Sequence, residues 1–249
     1  MSESIKEFRN ICQKTAPNPK TETLEGRFNR IFSIYLVKLF IKTDITPNQI
    51  TVISVFVFLL GVGFFLIDDY SLRIVGILLV VFSAILDACD GEVARYKKNS
   101  SIVGMVYTEP VSHDIQYTLM FMPISIGFFL ETGNAVFLIL GFLATSFKML
   151  YRIMDLRYWA AFKNYAVLDK KSDKDSIIKD DSMANGWNIK DFFSWLYHNF
   201  YTSTGMITPL FILTIFDRIE IFLWFYGVSF PLLWIYLFLK QLKLLRNIK

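Results

Sequence analysis

The chain has 249 residues, of which 54% are hydrophobic and 17% aromatic, and its mean hydropathy is +0.42. That is too apolar for an ordinary soluble domain of this length, and the two cysteines, Cys12 and Cys89, exclude a disulfide framework. The formal net charge of +4 matters less than its lopsided distribution, which calls for a membrane rather than a nucleic acid.

The opening MSESIKEFRNICQKTAPNPKTETLEG lacks the apolar core and cleavage site of a secretory leader, so the N-terminus is expected in the cytosol. Arg27 to Lys42 alternates basic and apolar residues at helical spacing. This predicts an amphipathic helix, either lying in the membrane interface with its cations near headgroups or packed on the protein itself. Thr46-Pro47-Asn48 then marks a helix start, with Thr46 as cap and Pro47 in the first turn. Apolar stretches predict six spans: Asn48 to Ile67, Leu72 to Ala94, Val111 to Leu130, Ala135 to Tyr151, Thr204 to Phe216 and Ile219 to Leu239. Asp68 to Ser71 is the expected turn between the first two. The fifth is short, and His198 to Ser203 is expected to lengthen it. Tyr165 to Gly186 is polar without periodicity and reads as a flexible cytoplasmic loop, and the aromatics of Trp187 to Tyr201 suit a short helix at the interface.

The expected fold is therefore an all-α integral membrane protein, with six transmembrane helices plus an N-terminal amphipathic interfacial helix, forming one membrane domain over 1–249. Within it, 1–46 would be the cytoplasmic N-terminus and interfacial helix and 47–155 the first four spans with the site. A cytoplasmic loop would cover 156–203, and the last two spans and cytoplasmic tail 204–249. Eight Lys and Arg precede span one, three follow span two, eight lie between Arg152 and Lys190, and four follow span six, against Arg73 and Arg218 on the other side. This asymmetry puts both termini in the cytoplasm.

The segment Asp87-Ala-Cys-Asp90-Gly91-Glu92-Val93-Ala94-Arg95 carries the chemistry. Asp87, Asp90, Gly91 and Ala94 share one helical face, so two carboxylates sit a turn apart at the cytoplasmic end of an apolar helix. Their repulsion at a membrane edge needs a compensating cation or a watery cavity. Oxygen-only ligation favours Mg²⁺ or a similar hard ion, which would in turn bind diphosphate. Gly91 and Ala94 leave room for a nucleotide against the helix, and Arg95 offers a fixed charge to phosphate. Cys89 lies off this face and reads as packing.

These residues resemble the signature of the CDP-alcohol phosphotransferase family, Asp-x-x-Asp-Gly-x-x-Ala-Arg, eight residues, then Gly-x-x-x-Asp-x-x-x-Asp. Asp87, Asp90, Gly91, Ala94, Arg95 and Gly104 match it, and Ile45 to Thr51 looks like the family's opening. The final two aspartates fall on Thr108 and Ser112, which cannot replace carboxylates. One residue further on, Glu109 and His113 keep the four-residue spacing, and an extra residue in the connection, or a bulge near Pro110, would bring them into the site. Glu109 then maps to the third acid and His113 to the fourth, with Asp114 as the alternative to His113.

The resemblance implies that an acceptor hydroxyl attacks a CDP-linked alcohol and CMP leaves, either from a CDP-lipid to a polar acceptor or from a CDP-linked polar head to a lipid; the cations after span four, suited to a phosphorylated, water-soluble acceptor, favour the first, phosphatidyl type. It implies two Mg²⁺ or Mn²⁺ ions held by Asp87, Asp90, Glu109 and His113, with His113 as base in the last aspartate's place. It also implies a cytosolic site, membrane lipid as a substrate partner, and a homodimer. Asn48 and Thr51 are candidates to approach the nucleotide, or merely to cap their helix. Lys148, Arg152 and Arg157 are candidates for an acceptor phosphate or for ordinary juxtamembrane anchoring. Two other classes compete: a degenerate member that binds CDP-alcohol without turnover, and an ion carrier, which leaves Gly91, Ala94, Arg95 and Gly104 unexplained.

Overall fold

The computed structural model describes residues 5–13, 23–98, 102–168, 189–202 and 204–246. Among the described residues there are only helices and turns. They run α1 Ile5–Cys12, α2 Leu24–Phe40, α3 Pro47–Gly63, α4 Tyr70–Lys97, α5 Glu109–Leu119, α6 Phe121–Thr132, α7 Val136–Leu168, α8 Ile189–Phe200, α9 Ile207–Ile215 and α10 Ile219–Arg246.

α3 starts where its sequence dictates. Thr46 accepts from the Gln49 amide at 3.3 Å while Gln49 accepts from the Thr46 amide at 2.9 Å, and Pro47 occupies the first turn. α3 and α4 then cross backbone to backbone. A Cβ on Gly61 would meet the Gly76 carbonyl at 2.8 Å, and one on Gly76 would meet the Gly61 carbonyl at 2.6 Å. This crossing brings the start of α3 beside the end of α4, where the acids lie.

Among the described residues, four helices are long and apolar enough to cross a membrane: Pro47–Leu66, Tyr70–Lys97, Val136–Ala161 and Ile219–Arg246. The third expected span is interrupted at Met120, because Pro123 has no amide to reach the Leu119 carbonyl. The chain still keeps its helical course there, with φ −56° and ψ −31° at Met120.

Several expected boundaries move. Asp69 caps α4 by accepting from the Leu72 amide at 2.8 Å, so Tyr70 and Ser71 are helical rather than part of the turn. α7 runs to Leu168, well past Tyr151, because nothing from Arg152 onwards breaks it and Leu, Met, Ala, Arg and Lys favour helix. The segment 156–168 is thus helical rather than loop, and the charged stretch 169–188 lies outside the described residues. His198 to Phe200 close α8 instead of lengthening α9, which keeps only nine residues.

α2 settles between its two expected orientations by using both faces. Its inward stripe is the polar one: Glu25, Asn29 and Ser33 are buried with Val37. Its outward stripe is apolar, with Phe28, Ile31, Phe32, Tyr35 and Leu39 exposed. This inverts the pattern of a helix lying on a water-soluble core and suits hydrocarbon outside.

At the far ends of α4, α6 and α9, buried Arg73 reaches Asp68 at 3.0 Å, Glu131 at 2.5 Å and Asp217 at 3.5 Å. Arg73→Met should leave three carboxylates facing one another. The buried charge goes with the substitution, and of the carboxylates left the Glu131 side chain is half-buried while Asp68 and Asp217 are exposed, so the loss is that of solvent-screened pairs, about 1 kcal/mol. The expected result is a lower melting midpoint in detergent, with an unchanged midpoint counting against the clamp.

Candidate active site

The two acids lie one turn apart near the end of α4, and a neighbouring helix partners each. Thr51 of α3 donates to Asp90 Oδ2 at 2.5 Å, and both residues are buried. His113 Nε2 of α5 lies 2.9 Å from Asp87 Oδ2. The second Asp87 oxygen, Oδ1, is buried without a partner.

The register that brings His113 here has a visible cause. Gly104 to Thr108 form a π-helical turn, in which the Glu109 amide donates to the carbonyl of Gly104, five residues back. A π turn accommodates one residue more than an α turn. It therefore takes up the residue by which this chain exceeds the signature spacing, and Pro110, lacking an amide, adds no competing α bond. Ser112, at the signature's final position, turns away and donates to the Glu109 carbonyl at 2.7 Å.

Glu109 itself is exposed. Its charge, with those of Asp87 and Asp90, acts on His113 across the site. Among the described residues no group of three or more His, Cys, Asp and Glu side chains closes around a metal position. The expected four-residue set is thus drawn together only in its Asp87–His113 contact. The donor chemistry nonetheless fits a hard cation. Asp87 and Asp90 offer oxygen alone, and the orphaned Asp87 Oδ1 is a buried acceptor that a cation would satisfy.

Gly91 faces the same region. A Cβ there would meet only the end of the Arg95 guanidinium, at 3.2 Å, so no backbone of this chain requires its smallness. The space it leaves is available to a ligand, and half-buried Ala94, one turn on, extends it. Arg95 is already engaged, its Nε donating to the Cys12 carbonyl at 2.5 Å. That contact ties α1 to α4 and leaves only the outer nitrogens for phosphate. Asn48 is not drawn in, since it faces an open groove at the start of α3 with Asp44 and Gln49.

On the other side of His113 lies a polar cavity of about 190 Å³, lined also by Asp114, Thr118, Lys148, Tyr151, Arg152 and Tyr197. Lys148 is buried and donates to the Tyr201 carbonyl at 3.0 Å. Arg152 pairs with Asp114 at 3.0 Å, which turns Asp114 away from Asp87 and removes it as a stand-in for His113 in this arrangement. Arg157 is exposed and does not line the cavity. The α8 contribution escaped the sequence reading. Tyr197 bonds Tyr151 at 2.7 Å across the cavity wall, and an aromatic run is the only signal that could have marked it.

Glu92, also passed over, is buried beside the acids and accepts from Ser33 at 2.8 Å and from Gln13 at 3.1 Å. It fastens α1 and α2 to α4 on the side away from His113.

The profile of a family described as CDP-alcohol phosphatidyltransferase matches residues 44–174 of this sequence. The bifunctional IPC transferase and DIPP synthase of Thermococcus kodakarensis is 37% identical over 103 residues, covering 41% of this chain and 23% of that protein. The aligned part of this chain thus spans less than a quarter of that relative's length.

Proposed function

Because this chain belongs to the CDP-alcohol phosphatidyltransferase family, we propose that it moves a phosphatidyl, or other substituted phosphoryl, group from a CDP-linked alcohol to an acceptor hydroxyl with release of CMP. One observation carries the reading: His113 touches Asp87 at 2.9 Å on one side and lines the cavity holding Lys148 and Arg152 on the other. An imidazole fixed between a carboxylate and a basic cavity suits a proton acceptor for a hydroxyl bound in that cavity.

In the proposed reaction the acceptor oxygen forms a new bond to phosphorus while the bond from phosphorus to the CMP oxygen breaks. His113 donates Nε2–H to Asp87, which orients the ring, and takes the hydroxyl proton at Nδ1. Lys148 and Arg152, with Arg157 further along α7, attract a phosphate on the acceptor. Gly91 and Ala94 give the nucleotide room, with Arg95 and Asn48 at its periphery. Asp87 and Asp90 would hold a divalent cation, Mg²⁺ or Mn²⁺, with Glu109 helping to hold a second and His113 kept free of the ions as the base. When bound, such ions screen the diphosphate and stabilise the entering and leaving oxygens.

The proposal includes a single membrane domain with six crossings, α5 with α6 and α9 supplying the two beyond the long helices. Both termini and the site would face the cytoplasm, where the nucleotide is found, and the setting would be phospholipid biosynthesis in a homodimer.

A second reading, a member that binds CDP-alcohol without turnover, is favoured by Thr108 and Ser112 at the signature's last two acid positions. Purified protein given CDP-diacylglycerol, Mg²⁺ and a panel of polar acceptors should release CMP. Binding with no release for any acceptor would decide for the second reading.

A further inference from the structure

The short N-terminal helix α1 reaches the site from outside the signature. Phe8 and Cys12 are buried in one apolar cluster with Ile34 and Val37 of α2 and Leu86, Cys89 and Val93 of α4. Phe8 also sets its ring 5.3 Å from that of Tyr96. This docking carries the C-terminal end of α1 to Arg95.

The last carbonyls of a helix have no partner within it and carry the negative end of its dipole, so a cation is favoured there. The carbonyl of Cys12, the final residue of α1, accepts from Arg95 Nε at 2.5 Å. The guanidinium is thereby laid along α4, with its two outer nitrogens 3.2 and 3.7 Å from where a Cβ on Gly91 would stand. Both nitrogens thus border the space that Gly91 leaves, next to Asp90. A free arginine has to surrender much of its rotamer freedom to grip a phosphate, and one already held through Nε surrenders less.

Gln13, one residue past α1, fixes this end in place. Its side-chain amide has two hydrogens. One goes to the Arg30 carbonyl of α2 at 2.7 Å and the other to Glu92 Oε1 of α4 at 3.1 Å, an oxygen that also accepts from Ser33 at 2.8 Å. These bonds go to α2 and to the side of α4 away from His113, so Gln13 can influence a ligand beside Gly91 only through the chain it anchors.

We infer that α1, locked by Gln13, is a positioning element for Arg95, aiming its outer nitrogens across Gly91 at the diphosphate of a bound nucleotide. The inference rests on the proposed reaction for the identity of that anion.

The test is calorimetric titration of the purified protein in detergent with CDP and Mg²⁺, run as a double-mutant cycle. Arg95→Ala should weaken CDP binding by about 10–100-fold, the range for a hydrogen bond to a charged group. Gln13→Met keeps the length and bulk of the side chain but removes both donors, and should weaken binding by about 5–10-fold in the otherwise wild-type protein. In the Arg95→Ala background the same substitution should add less than about twofold, because the residue it acts through is gone. Equal losses in the two backgrounds would make α1 a general scaffold and overturn the inference. Unchanged CDP affinity in Gln13→Met overturns it as well, and so does a lowered melting midpoint with binding abolished, which would make Gln13 a folding residue. A wild type that binds no CDP overturns the nucleotide reading and the inference together, whereas absent coupling with wild-type binding intact overturns the inference alone.

Discussion

Asp90→Ala is expected to lower CMP release by more than about 100-fold, beyond the range for losing a mere outer partner of a metal ligand. Asp90 is buried, and its Oδ2 is held at 2.5 Å by Thr51. Removing it leaves no stranded donor, because the Thr51 hydroxyl also lies 3.2 Å from the Pro47 carbonyl. The membrane-embedded contacts of α3 and α4, set by Gly61 and Gly76, do not involve it. Loss of activity without loss of insertion is therefore the expected pattern, read as CMP release against Mg²⁺ concentration alongside the yield of protein extracted from membranes. Turnover equal to wild type would refute the location of the site.

His113→Ala is expected to reduce turnover by about 10²–10⁴-fold, the usual worth of a positioned acid or base. CDP binding should change little, because the ring makes its contact with Asp87 and its other face lines the acceptor cavity. His113→Gln separates orientation from proton transfer. A glutamine amide can still donate to Asp87 but takes no proton, so it should be nearly as slow as alanine. If turnover and CDP affinity fall together in both variants, His113 is a cation ligand rather than a base.

The signature face at Asp87, Asp90, Gly91 and Ala94 was legible because a three- and four-residue spacing on a helix leaves little geometric freedom. The one-residue displacement of Glu109 and His113 was legible as a mismatch. Its resolution was not, since an extra residue can be absorbed either in a loop or by a wider helical turn, and the residues 104–108 do not distinguish them. The orientation of α2 was hidden for a different reason. Periodicity reports the contrast between two faces, and only the surrounding medium decides which face turns inward; with hydrocarbon outside, Glu25, Asn29 and Ser33 go in and Phe28 and Phe32 go out. The extent of α7 is not legible from apolarity, which stops near Tyr151, whereas helix propensity continues to Leu168. The aromatic run of α8 marks a helix at the interface, but which cavity that helix walls depends on long-range packing such as the Tyr151–Tyr197 contact.

The wide turn at Gly104 to Thr108 separates two properties that a fixed-spacing motif treats as one. A relative could drop a residue there, regularise the turn, and still present the same side chains at the same heights and bearings further along α5. Segment length and side-chain placement can thus vary independently, and counting positions from Asp87 and Asp90 is a poor guide to which downstream residue faces them.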